Sequence, residues 1–241
     1  MLFLSCGTLF GQDTINTDRP AFTNASVVVP KGTFQLENGF LETGSGQEGV
    51  DFSETQLRFG LLDKTELRFT VPDYYENLLT ANGFGSGWSD LAAGVKQQLG
   101  PIHGFDVSVI FELSFPTGDH AVSSHGYDPE VQVPWSKKLS TNWTTAGMFS
   151  MSWPTQGKSR NTTGQVSYLF DRQLTAPWDA FVEYAGSFAQ RGGPVHILHF
   201  GTAYKLGLHQ QVDLHGGIGL SAAAPDHFVG FGYSIIFPKK H

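Results

Sequence analysis

From Thr33 onward apolar and polar residues alternate in segments of about ten residues, cut by Gly, Pro, Asn and Asp, and no other feature constrains the chain as strongly. Side chains on a strand point alternately to opposite faces, so this pattern builds sheet with one apolar and one polar face. In Phe105–Phe115, Val107, Val109, Phe111, Leu113 and Phe115 share a face, with Asp106, Ser108, Ile110, Glu112 and Ser114 opposite. The last segment sets Val229, Phe231, Tyr233, Ile235 and Phe237 against Gly230, Gly232 and Ser234. The same reading predicts twelve strands, at 33–42, 50–61, 64–72, 87–99, 105–115, 129–139, 142–153, 163–171, 178–189, 194–206, 209–220 and 227–237. Leu62-Asp63, 100–104, Ser140-Thr141 and Gly207-Leu208 read as tight links, whereas 73–86, 116–128 and 154–162 read as longer loops rich in Gly, Asn, Ser and Thr. Short turns at one end and longer loops at the other describe an up-and-down barrel.

Alternation does not say which face meets water, because exchanging the faces leaves the pattern unchanged. The chemistry of the polar face decides. Charged residues make up only 15% of the 241 positions, where a water-facing surface carries about 25–35%. The polar faces are instead Gly, Ser, Thr, Gln and Ala with single charges, as suits a crowded lumen. Aromatics gather at strand ends, at Trp88, Trp135, Trp143, Trp153, Trp178, Tyr74, Tyr75 and Phe237, where interfacial girdles lie. The expected fold is therefore all-β, a single antiparallel up-and-down transmembrane β-barrel of about 12 strands. A soluble sandwich or lipocalin-like barrel with these aromatics in its core is the competing reading. No run of about 18 apolar residues offers a transmembrane helix. A formal charge of −7 argues against nucleic acid as a partner, since a phosphate binder needs a basic stripe.

Residues 1–12 are apolar and rich in small residues, reading as a signal-peptide remnant or an apolar tail ahead of a barrel domain at 13–241. The single cysteine, Cys6, excludes an intramolecular disulfide and a cysteine zinc site. Segment 13–32 precedes the first strand and is expected to fold inward as a plug, because twelve strands enclose more space than small lumen residues fill. Lying along the periplasmic rim is its alternative.

Thr17-Asp-Arg-Pro-Ala-Phe-Thr-Asn-Ala-Ser26 and Val28-Val-Pro-Lys-Gly-Thr-Phe-Gln-Leu-Glu37 resemble the opening of an outer-membrane barrel family named for the MetA pathway of phenol degradation and labelled transporter-like. Leu57-Arg-Phe-Gly-Leu-Leu-Asp-Lys-Thr-Glu-Leu-Arg68, Ser89-Asp-Leu-Ala-Ala-Gly-Val-Lys96 and Phe115-Pro-Thr-Gly118 resemble further stretches of that family in order. The resemblance implies a bacterial outer-membrane location and a channel for passive uptake or efflux of small compounds, the aromatic preference coming from the family's name alone. The alternative is a structural or accessory barrel with a closed lumen that binds a partner through its loops. A lipid bilayer and a small-molecule permeant are the expected partners, and the barrel is expected to be a monomer.

If the apolar faces meet lipid, the charged groups left on the polar faces point inward: Glu37, Arg58, Glu66, Arg68, Lys96, Glu112, Glu130, Lys138, Glu183, Lys205, Asp213 and His215. Arg58 and Arg68 fall on adjacent strands of one hairpin with Glu66 and Glu37 in reach, which predicts a network of paired charges. Such a network either sets the ion preference of a water-filled pore or only satisfies a packed interior. His196 and His199, three apart on a strand, fall on opposite faces. His120 and His125 share a loop with Asp119 and Asp128, which reads as a solvated loop rather than a metal site. No metal and no cofactor are expected. Neither Gly-x-Ser-x-Gly nor His-Glu-x-x-His occurs, so no enzyme is expected, although a triad such as Ser114, His199 and Asp213 stays open.

Overall fold

In the computed structural model, which describes residues 14–44, 48–80 and 83–239, regular structure is entirely strand. The expected signal remnant at 1–12, with Cys6, lies outside the described residues. Twelve strands close into one antiparallel barrel. They are β1 (Phe34–Gly44), β2 (Glu48–Phe52 and Gln56–Leu62), β3 (Thr65–Thr70 and Tyr74–Thr80), β4 (Gly83–Trp88 and Leu91–Ile102), β5 (Phe105–Phe115), β6 (Asp128–Lys138), β7 (Trp143–Ser152), β8 (Thr163–Thr175), β9 (Trp178–Ala189), β10 (Val195–Lys205), β11 (Gln210–Gly219) and β12 (His227–Phe237). Each pairs with its neighbour in sequence, and β1 pairs with β12 from Phe34↔Phe237 to Gly44↔His227. Closure leaves no free edge in the barrel wall, the condition for sheet in a bilayer, whereas the external extension Gly83–Trp88 pairs along one edge among the described residues. Links such as 63–64, 103–104 and 176–177 mark one rim, and the loops 116–127 and 153–162 mark the other, which makes the first periplasmic and the second external.

Burial is inverted relative to a water-soluble protein. Outward Phe111, Phe149, Phe200, Leu214 and Phe231 are more than half exposed, while inward Gln35, Glu37, Arg58, Ser108 and His199 are at 0%. Large apolar groups avoid water and charges avoid apolar media, so this surface faces lipid and the competing soluble reading fails. Trp143, Trp178 and Phe237 ring the periplasmic edge, and Tyr74 packs edge-to-face on Trp88 near the external one, giving interfacial girdles. Tyr75 departs from the girdle assignment, because it lines an interior cavity.

Of the stretch 73–86, read as a long loop, residues 74–80 and 83–86 are strand: Tyr74 pairs with Trp88 and Thr80 with Gly83. Gly83-Phe-Gly-Ser-Gly87 carries too few side chains to display alternation, so its pairing left no periodic mark. The three strands β2, β3 and β4 are also interrupted side by side at 53–55, 71–73 and 89–90. Side chains bridge these breaks: Asp73 Oδ1 accepts the Thr55 N–H at 3.1 Å, and Ser89 Oγ accepts the Asp73 N–H at 2.9 Å. Ser53 takes φ 70° at the first break, which turns the chain.

Residues 14–32 run inside the barrel. They enter over Gly60, whose N–H donates to Thr33 O at 3.1 Å and whose O accepts from Gly32 at 2.7 Å. A Cβ on Gly60 would lie 2.0 Å from Pro30 O and 2.8 Å from Val29 O, both backbone atoms that have nowhere to go. Gly60→Ala is expected to lower the unfolding free energy by about 1–3 kcal/mol, the usual range for overpacking. Gly164→Ala on β8, with only Met151 Cε at 4.0 Å, is the control and should be neutral or slightly stabilising. Urea unfolding in detergent, followed by tryptophan fluorescence, reports both.

Candidate functional site: the occupied lumen

All twelve groups picked out from the alternation sit on inward-facing positions, but they form separate constellations. Five of them meet in one. Arg58 donates from Nη1 to Glu37 Oε1 at 2.8 Å and from Nε and Nη2 to Glu66 at 2.8 and 2.9 Å. Arg68 Nη1 and Lys96 Nζ donate to the two oxygens of Asp18 at 2.5 and 3.2 Å. Arg68 Nε also lies 4.0 Å from Glu112. The register explains the meeting, since Arg58 sits opposite Arg68, Glu66 opposite Lys96, and Gln35 beside Glu37 opposite Arg58. Asp18, Glu37 and Glu66 face Arg58, Arg68 and Lys96, three charges against three. With each of these side chains nearly or fully buried, only such a balance keeps the cluster tolerable in a low-dielectric interior.

A second constellation holds the opposite wall. Glu183 accepts the N–H groups of Phe22 and Thr23 at 2.9 and 2.8 Å and the Thr23 hydroxyl at 2.6 Å. His199 Nδ1 lies 2.8 Å from Glu183, and its Nε2 lies 3.0 Å from His215 Nδ1. Arg19 bridges onward to Asp213 at 3.3 Å and pairs with Glu54. His199 is thus committed to Glu183 and His215, and Asp213 to Arg19, so Ser114, His199 and Asp213 do not assemble as a triad. In the loop 116–127, Asp119 accepts from Trp88 N–H, and Asp128 accepts from Thr155 and Arg160, while the rings of His120 and His125 meet at 4.7 Å. Among the described residues no three His, Cys, Asp or Glu side chains converge on a point that would hold a metal.

Asp18, Arg19 and Thr23 were not among the residues picked out, because segment 14–32 has no periodicity from which to read a face. The segment is held on many sides. Val29 N–H donates to Glu66 at 2.8 Å, Ser108 Oγ donates to Ser26 O at 2.5 Å, Gln211 Nε2 to Thr17 Oγ1 at 2.8 Å, and Ile15 N–H to Leu208 O at 2.8 Å. Cavities lie on either side of it. One of about 440 Å³ opens toward the periplasmic rim, where Lys138 and Lys205 line it with Asp106, Asp171 and Asp179. Two lie on the external side, of about 350 Å³ beside Glu130 and about 250 Å³ beside Asp51. Asn24 lines all three, so the partition is thinnest there.

Comparison with solved structures shows the same fold. The COG4313 outer membrane channel from Pseudomonas putida F1 superposes with TM-score 0.70 at 12% identity, over 88% of this chain and 98% of that one. The NanC porin gives 0.61 at 10% identity over 84% and 98%, and the KdgM porin 0.58 at 7% over 84% and 99%. Among curated proteins the sequence has no match. An apolar exterior, aromatic edges and this fold make the protein a β-barrel of the bacterial outer membrane. The sequence profile of one family matches residues 17–237, nearly the whole chain, and with that span the chain belongs to the family described as "Putative MetA-pathway of phenol degradation".

Proposed function

We propose that the barrel is a monomeric, passive outer-membrane channel for small, weakly polar compounds, and that residues 14–32 act as its internal plug. One observation carries the reading: external and periplasmic cavities approach from both sides and share Asn24 as lining. The proposed route runs from the 350 Å³ cavity, past Asn24, into the 440 Å³ cavity. Lys138 and Lys205, which make no ion pair within 4 Å among the described residues, and Glu130 are the groups from the inward set that face solute; the Arg58 cluster serves to fix the plug.

The solute class follows from the external cavity. Phe22, Met148, Val195 and Ile197 supply an apolar wall, Gln132, Gln165 and Ser187 supply amides and a hydroxyl, and Glu130 is the single charged side chain on it among the described residues. Such a lining suits neutral molecules with one or two polar groups. The family's description, which names phenol degradation, and the channel and porin neighbours agree with this reading. The rival, a closed accessory barrel, draws on the many hydrogen bonds that fix the segment. In planar bilayers the purified protein is expected to give discrete conductance steps, and liposomes carrying it should swell in glycerol and resist sucrose. An absence of both steps and swelling would establish the closed barrel instead.

A further inference from the structure

We propose that Lys158, Arg160 and Arg191 form a docking site on the external rim for the phosphorylated headgroup of an outer-leaflet glycolipid. Their placement in the barrel is the first reason. Among the described residues they are the only lysines and arginines at the external end; Arg19, Arg58, Arg68 and Lys96 lie in the lumen, and the others belong to the periplasmic end. Elsewhere the external loops and strand ends carry carboxylates, such as Glu76, Asp90, Asp119 and Asp226. Positive charge is thus gathered at one spot on a rim that otherwise repels phosphate.

Hydrogen bonds hold the three residues together. After β7 the chain makes a small hairpin in which Thr155 pairs with Arg160 and Gln156 with Ser159, leaving Lys158 at its tip. Arg191, from the link between β9 and β10, donates from Nη2 to Ser159 Oγ at 2.7 Å, so its guanidinium lies against the residue between Lys158 and Arg160. Asn161 clasps the Arg191 backbone, accepting its N–H at 2.9 Å and donating to its carbonyl at 3.2 Å. Arg160 pairs with Asp128 at 2.6 Å, whereas Lys158 and Arg191 have no carboxylate within 4 Å among the described residues. The patch therefore keeps two uncompensated positive charges, and its guanidinium groups offer planar donors matched to phosphate.

Height on the barrel selects the partner. Ser152, Thr163 and Ala189 stand at one level, because Thr163 pairs with both of the others. One residue below, Met151 and Phe188 turn exposed apolar side chains toward lipid. Arg160 and Arg191 lie three and two residues past that level, so their backbone stands at most about 10 Å above it. Arg160 Nη1 also donates to Trp153 O at 2.7 Å, which draws its guanidinium back to the strand end. The polar layer of a bilayer is about 5–8 Å thick on each side, so these long side chains reach lipid phosphates.

Fluorescently labelled lipid A in micelles of an uncharged detergent is the probe, and fluorescence anisotropy reads its binding to the purified barrel. EDTA is present throughout, so that magnesium cannot bridge the lipid to the external acids. Saturable binding is expected, weakened about twentyfold in Lys158→Ala/Arg191→Ala at about fivefold per cation. Lys64→Ala at a periplasmic turn should leave the affinity unchanged, and removing the lipid's phosphates should weaken binding by at least as much as the double substitution. Equal binding of the dephosphorylated lipid, unchanged affinity in a folded double variant, or an equal loss in Lys64→Ala would each overturn the proposal. Displacement of the lipid by an equal concentration of inorganic phosphate would assign the patch to a free anion, and displacement by poly-glutamate to an acidic protein; either also overturns it. Heat-dependent gel mobility checks folding; if the double variant is unfolded, Lys158→Glu at the hairpin tip and the dephosphorylated lipid decide. No conduction is involved, so silent bilayers leave the lipid site intact and a failure here leaves the channel reading intact.

Discussion

Replacing Arg58 by methionine is expected to lower the unfolding free energy by about 3–5 kcal/mol, the range for removing one partner of a buried ion pair. Arg58 is fully buried and donates to Glu37, to both oxygens of Glu66 and to the Asn16 carbonyl at 3.0 Å. Methionine fills much of the volume but leaves two carboxylates facing each other with one fewer cation, so the balanced cluster acquires a net negative charge. A second substitution, Glu66→Gln, should restore neutrality and recover more than half of the loss. The double variant therefore separates charge balance from packing, because packing losses would add and charge losses would cancel. Urea titration in detergent micelles, read by tryptophan fluorescence and by heat-dependent gel mobility, measures all three proteins. A loss below about 1 kcal/mol in the single variant, or strict additivity in the double, would show that the cluster does not hold the structure in the way described.

Deleting residues 15–28 is expected to raise single-channel conductance several-fold while the barrel still folds. The strands close through β1 and β12 without this segment, and the carboxylates it satisfies, Glu37 and Glu183 among them, would be hydrated once the lumen fills with water. Removing the partition joins cavities of about 440, 350 and 250 Å³ into one passage. Paired recordings at fixed salt, with heat-dependent mobility to confirm folding, give the comparison. An unchanged conductance in a folded deletion would place the constriction elsewhere and remove the plug from the mechanism. Some loss of stability accompanies the deletion, since Asp18 leaves with the segment and Arg68 and Lys96 lose their shared partner. The readout is conductance per channel, which that loss does not alter.

Much of the arrangement around Arg58 was open to inference from local spacing. Arg58 and Arg68 flank the turn at Asp63-Lys64, and a hairpin of that length places them opposite each other, with Glu66 two residues from Arg68 on the same face. Asp18, the carboxylate that joins Arg68 to Lys96, lies outside any alternating segment, and its hydrogen bond from the Ala25 N–H at 2.8 Å belongs to a local turn that no periodic rule describes. The outer halves of β3 and β4 escaped for another reason: glycines at 83, 85 and 87 carry no side chain to mark a face, and backbone pairing with β3 organises them.

The amino-acid sequence by itself determined the strand count, the two faces of nearly every strand and the inversion that puts aromatics toward lipid. These are local and periodic properties, written in the order of side chains and in the scarcity of charge on the polar face. Tertiary structure alone decided where the inward segment touches the lumen wall and which charges outside the Arg58 hairpin are paired. Those outcomes depend on contacts between residues such as Arg19 and Asp213, far apart in the chain and brought together only when the sheet closes around an aperiodic segment. Charge pairing in a low-dielectric interior is a property of that closed geometry, since moving Asp18 out of reach would turn a neutral cluster into an uncompensated one.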